Sequence, residues 1–323
     1  MRCIVLLLVL LPTLALAQAP QTGWKPERPV ELIVGAAPGG ANDRIGRTIQ
    51  RLLLDNKLAN PVNVVNKPGG GQSVAFSYLG GHAGNPHYLG LASSSWLTTV
   101  AAGRGTLTPR DFTPIVKMLD EYQVYFVKAD SPIRTARDIV ERLKKDPASL
   151  SFGFSTAAGN PLHISIAMIA RQAGADPTKI KAVVFNSGTD TAIQVAGGHL
   201  DVGVQSPGSA QKLAEAGKIR IIGVGAPRRH PRDLAHVPTL REQGIDVDAT
   251  VFYTIFGPKG LTPAQTAYWD QAITGVMQSD QPKQAFELNY WTIGFVGHRD
   301  LPAFLERELE TYRRVLTEIG MMK

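Results

Sequence analysis

The sequence predicts an α/β protein of two lobes, each a parallel-type sheet with flanking helices, joined by two crossings of the chain. Three observations carry this expectation. Short apolar strand-like runs alternate with segments of helical period along most of the chain. The arrangement of strand, glycine or serine turn, then helix occurs over residues 30–53 and again over 151–169. The pattern also restarts near residue 122 and returns near residue 250, with no fixed-period repeat. At 323 residues, 44% hydrophobic and 19% charged, the chain can bury a large core and divides naturally in two.

Val30 to Val34 is a short apolar strand, and Gly35-Ala-Ala-Pro-Gly-Gly-Ala-Asn-Asp43 is a turn leading to a helix with Ile45, Ile49, Leu52 and Leu53 inward. The first amides of a helix have no partner within it, and Gly39 and Gly40 allow the backbone close to a ligand, so this turn is a candidate anion seat. Val62 to Val65 predicts a second strand, closed by Asn66-Lys-Pro-Gly-Gly-Gly71. A helix follows over Ser73 to Gly80, then a strand over Tyr88 to Ala92 that ends in Ser93, Ser94 and Ser95.

A strand over Tyr122 to Val127 opens the second half. Thr135 and Asp138 form a capping box, and Ser151 to Phe154 reads as a strand entering Ser155-Thr-Ala-Ala-Gly-Asn160. Asn160 as cap, Pro161 at the first helical position and Gly174 as stop delimit the next helix, giving a second anion seat. Lys181 to Phe185 followed by Asn186 and Ser187, and Val202 to Val204 followed by Gln205 and Ser206, repeat the style. Three helix starts after three consecutive strands should line one sheet edge, where ligands bind in parallel sheets. Arg220 to Val224 closes this half and Thr250 to Phe256 returns. Thr262 to Gln265 caps a helix, and Asp300 opens the last one. The lobes are therefore expected at 18–122 plus 250–323, and at 123–249.

Met1 and Arg2, an apolar run from Ile4 to Leu16 and Ala15-Leu-Ala17 have the pattern of a secretory signal peptide over 1–17, cleaved after Ala17. The single cysteine, Cys3, falls inside it, so the mature chain has no thiol for a disulfide, a metal or a nucleophile. Loss of Arg2 takes the formal charge from +7 to +6, and the basic residues are dispersed, which argues against a nucleic-acid face. The seven histidines lack metal-ligand spacing. There is no Walker A lysine after Gly69-Gly-Gly71 and no third glycine in Gly223-Val-Gly-Ala-Pro-Arg228, so neither nucleotide fingerprint is present. No cofactor is expected.

At the two seats, Asp43 reads as compensation of the helix dipole. His163 reads either as a proton donor to a carboxylate or as a side chain satisfied within its lobe. Ser94, Ser95, Asn186, Ser187, Gln205 and Ser206 end strands and can donate to a ligand, with capping as their competing role. Trp96 and Tyr253 read as core or hinge packing or as a cleft wall. An enzyme reading rests on Gly153-Phe-Ser-Thr-Ala157, close to a nucleophile elbow, with Ser155, Asp233 and His298 in hydrolase order. Its fifth position is Ala, and no oxyanion segment precedes it.

The mature chain resembles the periplasmic solute receptors of the tripartite tricarboxylate transporters, the Bug family. The segments that carry the resemblance are Pro38-Gly-Gly40 with Asp43, Val65-Asn-Lys-Pro-Gly-Gly-Gly71, Gly153-Phe-Ser-Thr-Ala-Ala-Gly159 with His163, and Gly197-Gly-His-Leu-Asp201. Ala216 to Ile222, Val237-Pro-Thr-Leu240 with Gly244, and Leu316 to Gly320 extend it along the chain. The resemblance implies a type II two-lobed periplasmic binding protein, not an enzyme, that closes on a small carboxylate such as a di- or tricarboxylate or aromatic acid. It also implies delivery to a two-component membrane permease, and the receptor is expected to be a monomer. Hand-over to a sensor kinase is the alternative that sequence does not separate.

Carried over, the carboxylate grip would be Pro38, Gly39, Gly40, Ala41 and Asn42 on one side. On the other it would be Ser155, Thr156, Ala157, Gly159 and Asn160. Two departures stand out: Ala41-Asn42 replaces the Gly-Trp of the tricarboxylate branch, and Gly35-Ala36 replaces the Pro-Phe of many relatives.

Overall fold

The computed structural model describes residues 23–322. The signal peptide, its cleavage point and Cys3 lie outside the described residues. The elements are β1 (Val30–Val34), α1 (Ala41–Asp55), β2 (Val62–Asn66), α2 (Ser73–Gly80), β3 (Tyr88–Ser93), α3 (Ser94–Ala101), β4 (Phe112–Tyr122) and β5 (Val124–Lys128). There follow α4 (Ala136–Lys145), β6 (Ser151–Ser155), α5 (Pro161–Gln172), β7 (Lys181–Phe185), α6 (Gly188–Ala196), β8 (Val202–Gln205) and α7 (Pro207–Glu215). The chain ends with β9 (Ile219–Val224), β10 (Thr250–Pro258), α8 (Pro263–Gln278), α9 (Lys283–Asn289), β11 (Trp291–Gly297) and α10 (Leu301–Glu318).

One sheet has the order β11-β4-β10-β3-β1-β2 and the other β7-β6-β8-β5-β9. Where the sequence alternates strand and helix the pairing is parallel, as expected: β1 with β2 and β3, and β6 with β7 and β8. The sheets as a whole are mixed. β10 runs antiparallel to β3 and β4, β11 to β4, and β5 to β8 and β9. The reason lies in the connections: parallel neighbours need a crossover helix, and a strand that arrives straight from the other sheet has none.

The expected single strand over Tyr122 to Val127 is in fact two. Tyr122 ends β4 in the six-stranded sheet, Val124 begins β5 in the five-stranded one, and Gln123 alone lies between. The Gln123 amide donates to the Ala249 carbonyl at 2.8 Å, and its carbonyl accepts from Gly225 at 2.9 Å. The Ala249 amide donates to Gly225 at 3.1 Å, so outgoing and returning chains are stitched into one narrow hinge. β4 escaped the sequence reading because Lys117, Asp120 and Glu121 interrupt its apolar run, yet all three are buried. Lys117 Nζ meets Asp120 Oδ2 at 2.7 Å and the Gly294 carbonyl at 2.8 Å. α3, α9 and β11 also went unread; α3 starts on the serine cluster and β11 carries glycine along the sheet edge.

The caps form as read: Thr135 with Asp138, Thr262 with Gln265, and Asn160 ahead of Pro161. Ser206 precedes Pro207 but gives its hydroxyl to Ser209 instead of capping α7. Trp96 stacks on Phe76 at a centroid separation of 3.7 Å, and both it and Tyr253 are core residues, away from the cleft.

Glu121, fully enclosed beside the hinge, accepts from the Tyr253 hydroxyl at 3.3 Å, and burial pushes its carboxyl above the ordinary range despite that bond. A carboxyl raised on folding binds its proton more readily in the folded chain. Its contribution is therefore present at low pH and is lost as pH rises from the unfolded value through the folded one. Glu121→Gln removes this loss, so its melting temperature relative to wild type should climb between pH 4.5 and pH 7.5. An offset that stays constant over that range would contradict the assignment.

Candidate functional site

The two seats are built alike. Gly39 has φ +84° and Gly159 has φ +81°, a left-handed conformation that favours glycine, and each is followed by an extended residue at the helix cap. In each turn the glycine amide donates to the side chain four residues on. Gly39 N reaches Asp43 Oδ2 at 2.9 Å, and Gly159 N reaches His163 Nδ1 at 3.0 Å. These two amides are thus committed within their own turns.

The charges differ. Asp43 Oδ2 also accepts from Arg47 Nε at 2.9 Å, and Oδ1 accepts from Asn66 Nδ2 at 2.9 Å. Burial acts to raise its pKa, but the bonds from Arg47, Gly39 and Asn66 outweigh it, and the carboxyl sits below its ordinary range. It is an anion at the start of α1, matched to the helix dipole. His163 packs on Phe154 with a ring separation of 4.9 Å, and burial pulls its pKa down to about 4. It is neutral at pH 7 with Nδ1 accepting from Gly159, so it holds its turn and keeps its proton on Nε2.

Between the lobes lies a cavity of about 310 Å³. The second lobe contributes Thr156, Ala157, Ala158, Gly159 and Asn160. Thr156 has φ +80°, unusual for a β-branched residue, and is held there by its amide bond to the Phe185 carbonyl at 3.0 Å and by Asn160 Nδ2 at 2.8 Å from its hydroxyl. The first lobe contributes Gly35, Ala36 and Asn42, the loop residues Gly69, Gly71 and Gln72, and a hydroxyl wall of Ser93, Ser95, Thr98 and Thr99, with Arg104 nearby. Gly35, Ala36 and Asn42 are the positions where the sequence departs from its resemblance, so the smaller side chains there open this wall.

Of the residues singled out in the sequence, Asn42, Ser95, Thr156, Ala157, Gly159 and Asn160 meet in the cavity. Pro38, Gly39, Gly40 and Ala41 do not line it, and the first two are exposed. Ser94 is fully buried, with its hydroxyl 3.4 Å from the Phe252 amide. Ser155 turns into its lobe and donates to Gln205 Oε1 at 3.1 Å, while Gln205 Nε2 donates to Thr191 at 3.0 Å. Ser187 caps α6 through the Asp190 amide, and Asn186 is exposed. Capping and intra-lobe bonding therefore account for Ser155, Ser187, Gln205 and Ser206. The hydrolase trio is dispersed: Asp233 accepts from the Tyr290 hydroxyl at 2.6 Å and His298 Nδ1 pairs with Asp270 at 2.5 Å.

Sequence reasoning missed Gln72, Thr98, Thr99 and Arg104. Gln72 adopts φ +78° at the end of the Gly69–Gly71 run, and its buried amide donates to Ser93 Oγ at 2.6 Å and accepts from the Ser93 amide at 3.1 Å. The glycine run was the available signal; nothing marked the glutamine.

Two outcomes follow from these turns. Asp43→Ala removes the acceptor shared by the Gly39 amide, Arg47 and one proton of Asn66 Nδ2, which keeps its bond to the Ala36 carbonyl, and should cost about 1–2 kcal/mol in urea unfolding at pH 7. The His163 imidazole, followed by NMR, should stay neutral until about pH 4. A His163 midpoint near the ordinary histidine value would refute the buried, accepting role.

Comparison with known proteins agrees with this geometry. The family described as Tripartite tricarboxylate transporter family receptor matches residues 45–321. Protein BugT of Bordetella pertussis is 22% identical over 324 residues, covering 99% of this chain and 98% of that one. The structure of a TctC solute binding protein from Polaromonas superimposes with a TM-score of 0.77 at 22% identity, over 91% of this chain and 99% of that one. An R. palustris protein solved with adipate gives a TM-score of 0.75 at 22% identity, over 91% and 98%. The match spans both lobes and the cleft between them, and its kind is a binding protein and not an enzyme: the chain belongs to the tripartite tricarboxylate transporter receptor family.

Proposed function

We propose that this receptor captures a small carboxylate between lobes 18–122 plus 250–323 and 123–249, and delivers it to the two membrane subunits of a tripartite tricarboxylate-type transporter. On this reading the chain is exported to the periplasm by the signal peptide, is cleaved after Ala17 and acts as a monomer. The observation that carries it is a cavity shared by the two lobes at the start of α5, with a polar lining that includes the Ala158 amide and the Ser93 and Ser95 hydroxyls and holds no acidic side chain. At about 310 Å³ its volume lies near the lower bound for small-molecule sites, about 300 Å³, which suits an acid of a few carbons. The adipate found in a structural neighbour supports the same class.

The seat over Thr156 to Asn160 is the better anion site of the two, because its helix start is not already neutralised by a carboxylate. There the positive end of α5, with neutral His163 behind it, meets the ligand, and the glutamine and hydroxyl wall of the first lobe closes from the other side. Hinge movement at Gln123 and Ala249 would bury the ligand and present a closed form to the permease.

The test is a thermal-shift screen of the purified protein against di- and tricarboxylates, aromatic acids and amino acids, followed by titration of any hit against its methyl ester. A carboxylate should raise the melting point, its fully esterified form should not, and affinity should fall as pH drops through the ligand's own pKa. An ester that binds as tightly as its acid would refute the anion grip.

A further inference from the structure

We propose that Arg104 is a specificity-determining residue that reads a second negative charge on the ligand, so that the cleft prefers dianions to monoanions of the same length. This rests on the carboxylate-receptor reading above and asks what distinguishes one acid from another.

Among the residues lining the cavity Arg104 is the one ionisable side chain, and no aromatic ring lines it. The turn Gly103-Arg104-Gly105 hangs from the end of α3: the Arg104 amide bonds to the Thr99 carbonyl at 3.1 Å, and Gly103 has φ +68°. The guanidinium points across the cleft, and its one hydrogen bond among the described residues is Nη1 to the Ala158 carbonyl of the other lobe, at 3.5 Å. That is a weak contact for a group with five donors.

Two other arginines of the same lobe are paired, Arg47 with Asp43 and Arg110 with Glu306. Arg104 is a cation facing a cavity that contains no anion of its own. A monoanion seated over Thr156 to Asn160 leaves it without a partner; a second carboxylate at the far end supplies one, in a charge-assisted pair that also ties the two lobes together. The lack of an aromatic wall disfavours aromatic acids, so the class is a short aliphatic dicarboxylate.

Isothermal titration of the purified protein with the straight-chain diacids from succinate to pimelate, each paired with its monomethyl ester, tests this. At least one diacid should bind roughly tenfold or more tightly than its monoester, with an advantage that shrinks as salt is added. Arg104→Gln should collapse that ratio by weakening the diacid far more than the monoester, with the ligand-free melting temperature unchanged, since the side chain is exposed; Arg104→Lys should restore part of it. A ratio near one in the wild type, a ratio that survives in Arg104→Gln, or a parallel loss of both ligands overturns the proposal. If mono- and diacids bind equally, the carboxylate reading stands and only the role of Arg104 falls. If no acid binds at all, the underlying reading fails and takes this proposal with it.

Discussion

The hydrogen bond from a left-handed glycine to the side chain four residues ahead fixes the cleft. It occurs once in each lobe, at Gly39 with Asp43 and at Gly159 with His163, and it sets the angle at which a strand enters its helix. One chemical difference between the copies decides their roles. An aspartate in that position is an anion that satisfies the helix dipole from within, whereas a buried neutral histidine satisfies only geometry and leaves the dipole unanswered. The second-lobe turn supplies five successive residues to the cavity, Thr156 to Asn160, while the first-lobe turn supplies Gly35, Ala36 and Asn42. The duplication is structural, and the binding asymmetry is electrostatic.

Much of the architecture was legible because it rests on local chemistry. The strand, turn and helix units at 30–53 and 151–169 announce themselves through glycine, proline, cap residues and apolar period, and the restart near 122 marks the crossing. What stayed hidden depends on distant partners. β4 is an interior strand carrying Lys117, Asp120 and Glu121, charges made tolerable by the Lys117–Asp120 pair and by distant partners, the Gly294 carbonyl and the Tyr253 hydroxyl. The site was legible to the same degree. Thr156 to Asn160 could be found from its turn, but the opposite wall comes from Gln72, Thr98 and Thr99, ordinary residues made relevant by the fold. Gln72 reaches Ser93 only because three left-handed glycines precede it. Conversely, Ser155 and Gln205 carried the right side chains at strand ends and spent them on each other.

Contacts between the lobes are divided by chemistry as well. On one flank α5 packs Ile164 and Ala167 into the same apolar cluster as Leu309, Val315 and Leu316 of α10, and Gly159 lies where a Cβ would come within 3.2 Å of Leu316. The lobes also meet through polar pairs with solvent access: Arg171 with Glu318 at 3.0 Å on that same flank, and Arg104 with Ala158 and Arg232 with Glu287 at 3.5 Å away from it. Exposed ion pairs of this kind are worth about 0–1 kcal/mol each. An apolar flank resists separation because opening it exposes hydrocarbon, while a polar mouth exchanges its partners for water at little cost.

On the proposed reading, the stitched hinge at Gln123, Gly225 and Ala249 and the α5–α10 contact are the pivot, and the cavity mouth is the side that opens. Because the protein's own contacts across the mouth are so weak, a ligand that bridges Thr156 to Asn160 and the first-lobe wall contributes a large share of what holds the lobes together. The closed form is then a direct report of occupancy. On the proposed reading, delivery to membrane subunits needs such a report, and a mouth sealed by strong permanent contacts would erase it.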